Sequence, residues 1–198
     1  MIIRFEFWPT LAFAVVMLAW FAFVVAVFVR KKPPSAPESK RERGAILGIA
    51  LQGAGYGLVW SIHRQSFTPI IALGKPFDIA LAMLTIVLVI GSVWFASAAI
   101  RTLGKQWSIA ARLVEGHKLI TEGPYRIVRN PIYTGMFGML LATGLAISHW
   151  IGLLIAIIVF AIGTAIRVRS EERLLRGAFG EEFEEYARSV RAVVPFLF

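Results

Sequence analysis

The sequence predicts an all-α integral membrane protein: five transmembrane helices, with a C-terminal helical hairpin and a cytoplasmic amphipathic helix. Three observations lead there. Apolar residues fill 58% of the 198 positions at a mean hydropathy of +0.71, more apolar surface than a soluble domain of this size can hide. They gather into five long runs. The basic residues, 21 Lys and Arg against 12 Asp and Glu, lie almost entirely between the runs. Such a surplus of positive charge suits nucleic acid or anionic lipid; with this hydropathy, membrane lipids are the expected partners and nucleic acid is not. The absence of cysteine excludes disulfides, thiolate catalysis and Cys-held metals. His63, His117 and His149 have no metal-ligand spacing, so no metal site is expected.

The first run, Trp8–Val29, is uncharged over 22 residues, enough to cross about 30 Å of hydrocarbon at about 1.5 Å per residue. It is long for a signal peptide and lacks a small-x-small cleavage site, so it reads as an anchor. The second, Gly44–Ile62, has glycines at Gly44, Gly48, Gly53, Gly55 and Gly57 that suggest close helix approach, and Gly53 and Gly57 form a GxxxG pair. The third, Phe77–Ile100, has Asp78 placed to cap its start. Ile132–Ile147 and Trp150–Ile166 are separated only by Ser148 and His149, which predicts an antiparallel helical hairpin.

Charge orients these spans. Segments 30–43, 101–131 and 167–198 hold six Lys and Arg each, and the other three are Arg4, Arg64 and Lys75. By the positive-inside rule the N-terminus is outside and the C-terminus cytoplasmic. All long polar segments then share one face, where any chemistry belongs.

That face carries EGPYRIVRNPIYTG at 122–135 and RVRSEERLLRGAFGEEFEEYARSVRAVVP at 167–195. Gly123-Pro124 sets a turn, and Pro131 ends the irregular stretch and suits the first turn of the fourth helix. Free N–H groups there would favour an anion; the plainer reading is a turn whose arginines snorkel to headgroups. Glu171 and Glu172 follow the fifth run on what should be the same helix. Their i,i+4 partners Arg167 and Arg176 allow a solvated, salt-bridged helix exit, whereas adjacent carboxylates at a membrane surface also suit a cationic or hydroxyl-bearing ligand. Phe179, Phe183, Tyr186 and Val190 recur at helical spacing opposite Glu181, Glu184, Glu185 and Arg188, an amphipathic helix of mainly structural role. His117 is a ligand or base candidate, though a lone loop histidine is more often solvated. Trp107 is a stacking candidate or an ordinary interfacial tryptophan.

HKLITEGPYRIVRNPIYTG, followed some forty residues later by RSEERLLRGAFGEEFEEYARSVRAVVP, resembles the isoprenylcysteine carboxyl methyltransferase family, whose relatives include the phospholipid N-methyltransferases. The resemblance runs from about residue 103 to 195. It implies a membrane enzyme using S-adenosylmethionine as cofactor, with a lipid-like substrate entering from the bilayer and undergoing carboxyl O-methylation. The chain reads as one membrane domain over 1–198: three N-terminal helices in 1–100, which carry no family signature beyond being membrane helices, then in 101–198 the hairpin and C-terminal helix with the cofactor-binding loop that the resemblance implies. Carried over, His117, Leu119 and Ile120 contact the cofactor largely through backbone. Gly123 and Asn130 shape or bond its loop, and Tyr125, Pro131 and Tyr133 form its pocket. Glu171 and Glu172 bind its polar end, and Arg129, or else Arg167, orients the acceptor. The family's usual Arg-His-Pro reads Arg129-Asn130-Pro131 here, and Asn130 cannot act as a general base. Phe183 stands where the family usually has Tyr. Three alternatives stay open: phospholipid N-methylation, an NADPH-dependent sterol-reductase-like enzyme, and a non-enzymatic membrane protein. Oligomeric state is not legible.

Overall fold

The structure of the protein, a computed structural model, describes residues 6–29, 38–41, 45–65, 67–71, 73–109, 112–114 and 116–193. Most of the Pro-rich stretch 30–43, together with Arg4, Gly44 and the last five residues, lies outside them. Among the described residues six α-helices are formed: α1 Phe7–Val24, which continues into a wider π-type turn at Val25–Val29, α2 Ala45–Ser61, α3 Lys75–Leu103, α4 Pro131–Ile147, α5 Trp150–Phe179 and α6 Glu181–Ser189. α1, α3 and α5 are long and apolar enough to cross a membrane, and α2 and α4 are shorter apolar helices of 17 residues. At 1.5 Å per residue the shorter pair reaches about 26 Å, a little under the hydrocarbon thickness. The protein is thus an integral membrane protein with three long spans and two short apolar helices.

The all-α expectation needs one amendment. β1, Glu38–Arg41, pairs antiparallel with β2, Arg112–Val114, with a bulge between Glu38 and Lys40. Segments of four and three residues, ESKR and RLV, are too short to show a hydrophobic period that would announce such a ladder.

Packing follows small residues. α2 lies along α5, and α4 along α3; the two arms of the expected hairpin pack less closely on each other than on these partners. A Cβ on Gly48 would sit 2.7 Å from the Gly163 carbonyl oxygen and 2.7 Å from Arg167 Cγ, so the α2–α5 crossing requires glycine. Gly53 and Gly57, the GxxxG pair, face open space. Of the glycines expected to bring α2 close to a neighbour, Gly48 and Gly55 do so and the GxxxG pair does not: the buried side is Ala45, Gly48, Gln52, Gly55 and Val59, the i, i+3, i+4 pattern of one helix face.

The two ends of the bundle differ. At one, Arg64 closes the C-terminus of α4, donating to the carbonyls of Ser148 (2.6 Å), Leu145 (2.8 Å) and Ala146 (2.9 Å), a cation where the helix dipole favours one. Asp78 does not cap α3, as expected of it; Gly74 holds the N-cap position. Asp78 lies inside the first turn, where its Oδ1 is buried without a hydrogen-bond partner among the described residues. At the other end lie β1, β2 and the loops bearing the polar motifs. There the chain after α6 runs beside the start of α4: Arg129 N–H donates to Arg191 O (2.7 Å) and Asn130 N–H to Ala192 O (2.9 Å). The backbone donors expected to favour an anion at this point are therefore taken by the protein itself.

Candidate functional site

At the charged end a cavity of about 340 Å³ opens between α2, α4, α5 and the loop 103–130, within the size range of small-molecule sites. Every residue that the resemblance assigned to cofactor or acceptor lines it except Gly123 and Pro131. Gly123 sits in the left-handed region at φ +59°, conformation that favours glycine, and starts the 3₁₀ turn Gly123–Arg126 that delivers Tyr125 to the wall. Pro131 is fully buried at the first position of α4, where a missing N–H costs nothing. Both shape the site from behind.

The floor is two arginine–glutamate pairs on neighbouring turns. Arg167, 5% exposed, donates through Nε to the Tyr133 hydroxyl (2.7 Å) and through Nη2 to Ile109 O and Glu171 Oε1 (both 2.8 Å). Tyr133 in turn donates to Glu171 Oε1. Beside it Glu172 Oε1 receives Arg129 Nε (3.0 Å) and Nη2 (2.9 Å), and its Oε2 receives Arg176 Nη2 (3.3 Å). Arg129 Nη1 is spent on Ala187 O (2.8 Å) and Val190 O, the closing carbonyls of α6.

The two glutamates are thus unequal. Glu172 has both oxygens held by arginines. Glu171 has Oε2 without a partner among the described residues, as Arg167 has Nη1. A carboxylate oxygen and a guanidinium nitrogen of opposite charge therefore remain available at the same cavity wall. Arg129 is a strut: it ties α5 to the end of α6, with its fork already occupied by a carboxylate and two carbonyls.

The loop supplies the roof. His117 is half-buried, its ring 6.1 Å from Phe179, and its Nδ1 is buried with no hydrogen-bond partner among the described residues. Burial pulls this imidazole below its usual range, so the neutral form is favoured. The adjoining Lys118 N–H is anchored by Gln106 Oε1, which fixes the 117–120 backbone on the cavity rim. Burial raises Tyr125, with the Glu171 charge adding to it. It also pushes Tyr186 up to about 12; that phenol donates to Tyr125 O at 2.6 Å.

Some cavity residues were assigned otherwise, or passed over, in the sequence. Phe183 and Tyr186 form the inward side of α6, buried in the site while Glu181, Glu182 and Glu185 face out; the periodicity was legible and its contribution to a site was not. Trp107 also lines the wall. Gln52 lines it from α2, and its one signal was a carboxamide inside an apolar run. Phe23, Val27, Ile49, Ile100 and Met136 make the opposite end apolar.

A cavity with both charged and apolar lining, inside a bundle with long apolar spans, defines a helical membrane protein with an internal cavity of mixed polarity. Residues 79–182 match the phospholipid methyltransferase family, and the chain belongs to that family. Among its relatives, protein-S-isoprenylcysteine O-methyltransferase B of Arabidopsis thaliana is 36% identical over 101 residues, 50% of this chain and 51% of the relative. The protein-S-isoprenylcysteine O-methyltransferase of Schizosaccharomyces pombe is 28% identical over 106 residues, 52% of this chain and 45% of the relative. The cobalt-zinc-cadmium resistance protein CzcN of Cupriavidus metallidurans is 34% identical over 107 residues, 50% of this chain and 46% of the relative. The chain spans about half the length of these curated relatives. The family match begins within α3, so α1 and α2 lie outside it.

Proposed function

We propose that the protein is a membrane methyltransferase that uses S-adenosylmethionine to methylate a carboxylate on a lipid-like acceptor. The observation that carries this is the pair of unspent charged atoms, Glu171 Oε2 and Arg167 Nη1, on one cavity whose far end is apolar. The residues fit such a cofactor: a free carboxylate oxygen suits a ribose hydroxyl or the sulfonium side, and the buried His117 Nδ1 lacks a hydrogen-bond partner among the described residues. Tyr125, Leu119 and Ile120 supply flat and apolar wall. Bound there, the cofactor supplies a methyl group already activated by positive sulfur.

The chain's own part is positioning. Arg167 is held in one rotamer by Tyr133, Glu171 and the Ile109 carbonyl, which leaves Nη1 aimed to hold an acceptor carboxylate. Such a carboxylate is ionised at neutral pH and needs no base, so Asn130 in place of histidine is no obstacle; Asn130 Nδ2 donates to Ala192 O at 3.1 Å instead. Holding two reactants in line accounts for about 7–11 kcal/mol of a barrier. Trp107, Phe183 and Tyr186 keep bulk water from the floor. The acceptor's hydrocarbon chain occupies the end lined by Phe23, Ile49 and Met136, which lies among the membrane helices. The charged end is placed in the cytoplasm on the distribution of Lys and Arg.

A second reading, N-methylation of a phospholipid amine, is favoured by the description of the matched family. It would set the amine against Glu171. Incubation with methyl-labelled S-adenosylmethionine separates the two: base-labile label on prenylcysteine analogues supports O-methylation, and base-stable label on phosphatidylethanolamine replaces it with N-methylation. Failure of S-adenosylhomocysteine to bind at millimolar concentration discards both. Because the chain lacks cysteine, single cysteines at Thr68 and Ser189 test orientation directly; labelling of Ser189→Cys from outside intact cells overturns it.

A further inference from the structure

We propose that Gln52 is a specificity residue of this cavity, accepting a hydrogen bond from a donor group that lies beside the carboxylate of the acceptor lipid. This rests on the reading of the cavity as the site where Arg167 holds that carboxylate.

Gln52 is 4% exposed and sits on α2, within a helix otherwise almost entirely apolar. Its Nε2 donates to Thr164 Oγ1 on α5 at 3.0 Å. The other end of the carboxamide, Oε1, has no hydrogen-bond partner among the described residues, and the side chain lines the cavity. Position is set by the backbone. The glycine crossing brings Gly163 within reach of both Gly48 O and Gln52 N, so the Gln52 side chain has little freedom to swing away from α5. Thr164 precedes Arg167 by three residues, a rise of about 4.5 Å along α5, away from its charged end. Gln52 therefore stands about one turn beyond the Arg167 guanidinium, toward the apolar wall.

A lipid carboxylate on Arg167 Nη1 with its chain running toward Phe23 and Ile49 passes Gln52 two or three bonds from the carboxyl carbon. A donor there, such as an amide N–H on the α-carbon, meets Oε1. An acceptor without one leaves a buried carbonyl oxygen unpaired and binds less well, since a buried polar group without its partner bears a desolvation cost. Because α2 lies outside the family match, the discrimination belongs to this chain's own N-terminal half.

The test is binding to the full-length protein in detergent, read by tryptophan fluorescence. N-acetyl-S-farnesylcysteine carries the N–H beside its carboxylate, and S-farnesyl-3-mercaptopropionic acid lacks it. The native protein binds the first about fivefold more tightly. Gln52→Leu abolishes that preference: the first ligand loses the partner of its N–H and weakens, and the second, which no longer buries an unpaired carbonyl, tightens. Thr164→Val removes the tie between α2 and α5 yet keeps the carboxamide, so it lowers thermal stability and retains the preference. A preference that survives Gln52→Leu, equal loss of it in both variants, or no preference in the native protein overturns the assignment. S-adenosylhomocysteine binding is measured in parallel; its absence with the preference intact removes the methyltransferase reading and supports Gln52.

Discussion

Glu172 Oε1 is gripped by Arg129 through Nε at 3.0 Å and Nη2 at 2.9 Å, across 43 residues of sequence. Both side chains are close to fully buried, 13% and 9% exposed, and the remaining Arg129 nitrogen closes α6. Removing one partner of a buried pair costs up to about 3–5 kcal/mol, less here because Glu172 keeps the half-exposed Arg176 at 3.3 Å. Arg129→Ala is therefore expected to lower the thermal midpoint and free α6, seen as faster proteolysis near residues 188–191. Arg129→Lys, which lacks the planar fork, is expected to fail in the same way. An unchanged midpoint and protease pattern in Arg129→Ala would mean the arginine is not a strut.

Glu171 and Glu172 separate by the same logic. Glu171→Gln keeps a group able to bond Tyr133 and leaves the protein folded, but removes the free charge. It should weaken S-adenosylhomocysteine binding about tenfold, the worth of one charged hydrogen bond, and lower the midpoint too, because the buried Arg167 loses its carboxylate. Glu172→Gln should lower the midpoint by several degrees and leave the affinity nearly unchanged. Calorimetry and thermal unfolding on the pair check this, and equal effects on affinity would refute the division of roles.

His117 predicts a pH dependence. Burial holds the folded imidazole below its usual range near 6.5. As pH falls past that range the unfolded chain takes up a proton before the folded chain does, so stability present at neutral pH declines until the folded histidine is protonated too. Ligand affinity should fall over the same interval if Nδ1 accepts from the ligand. His117→Gln should flatten both profiles. A decline that persists unchanged in the variant would assign it to other groups.

Gly48 and Gly53 form a matched pair. A Cβ at Gly48 meets backbone at 2.7 Å, whereas one at Gly53 meets nothing within 4 Å. Gly48→Ala must push α2 from α5 or displace Arg167, and should cost about 1–3 kcal/mol, as overpacking does, and weaken ligand binding as well. Gly53→Ala should be neutral or slightly stabilising, by up to about 1 kcal/mol, because alanine favours helix. Thermal unfolding of both checks the crossing; a destabilised Gly53→Ala beside an unaffected Gly48→Ala would reverse it.

Much of this molecule was legible in the chain. Apolar runs, turn residues and the Pro131 position depend on neighbours in sequence, so they placed the helices, the hairpin turn at Ser148–His149 and the irregular loop before α4. The helical run through Glu171 and Glu172 was equally local, as were the i,i+4 pairs with Arg167 and Arg176. Even the inward side of α6 showed its period.

What the chain could not reveal is which of those residues meet others far away. Gly48 rather than the GxxxG pair makes the crossing, because burial depends on where α5 lies and not on spacing within α2. Arg129 and Glu172 saturate each other only because the loop before α4 and the far end of α5 converge, and that leaves Arg167 and Glu171 with the unspent atoms. Gln52 enters the site from a helix whose one motif, the GxxxG pair, faces open space instead. Local periodicity decides secondary structure through interactions within a turn or two, whereas a site is decided by which donors and acceptors remain unpaired after the whole bundle has closed.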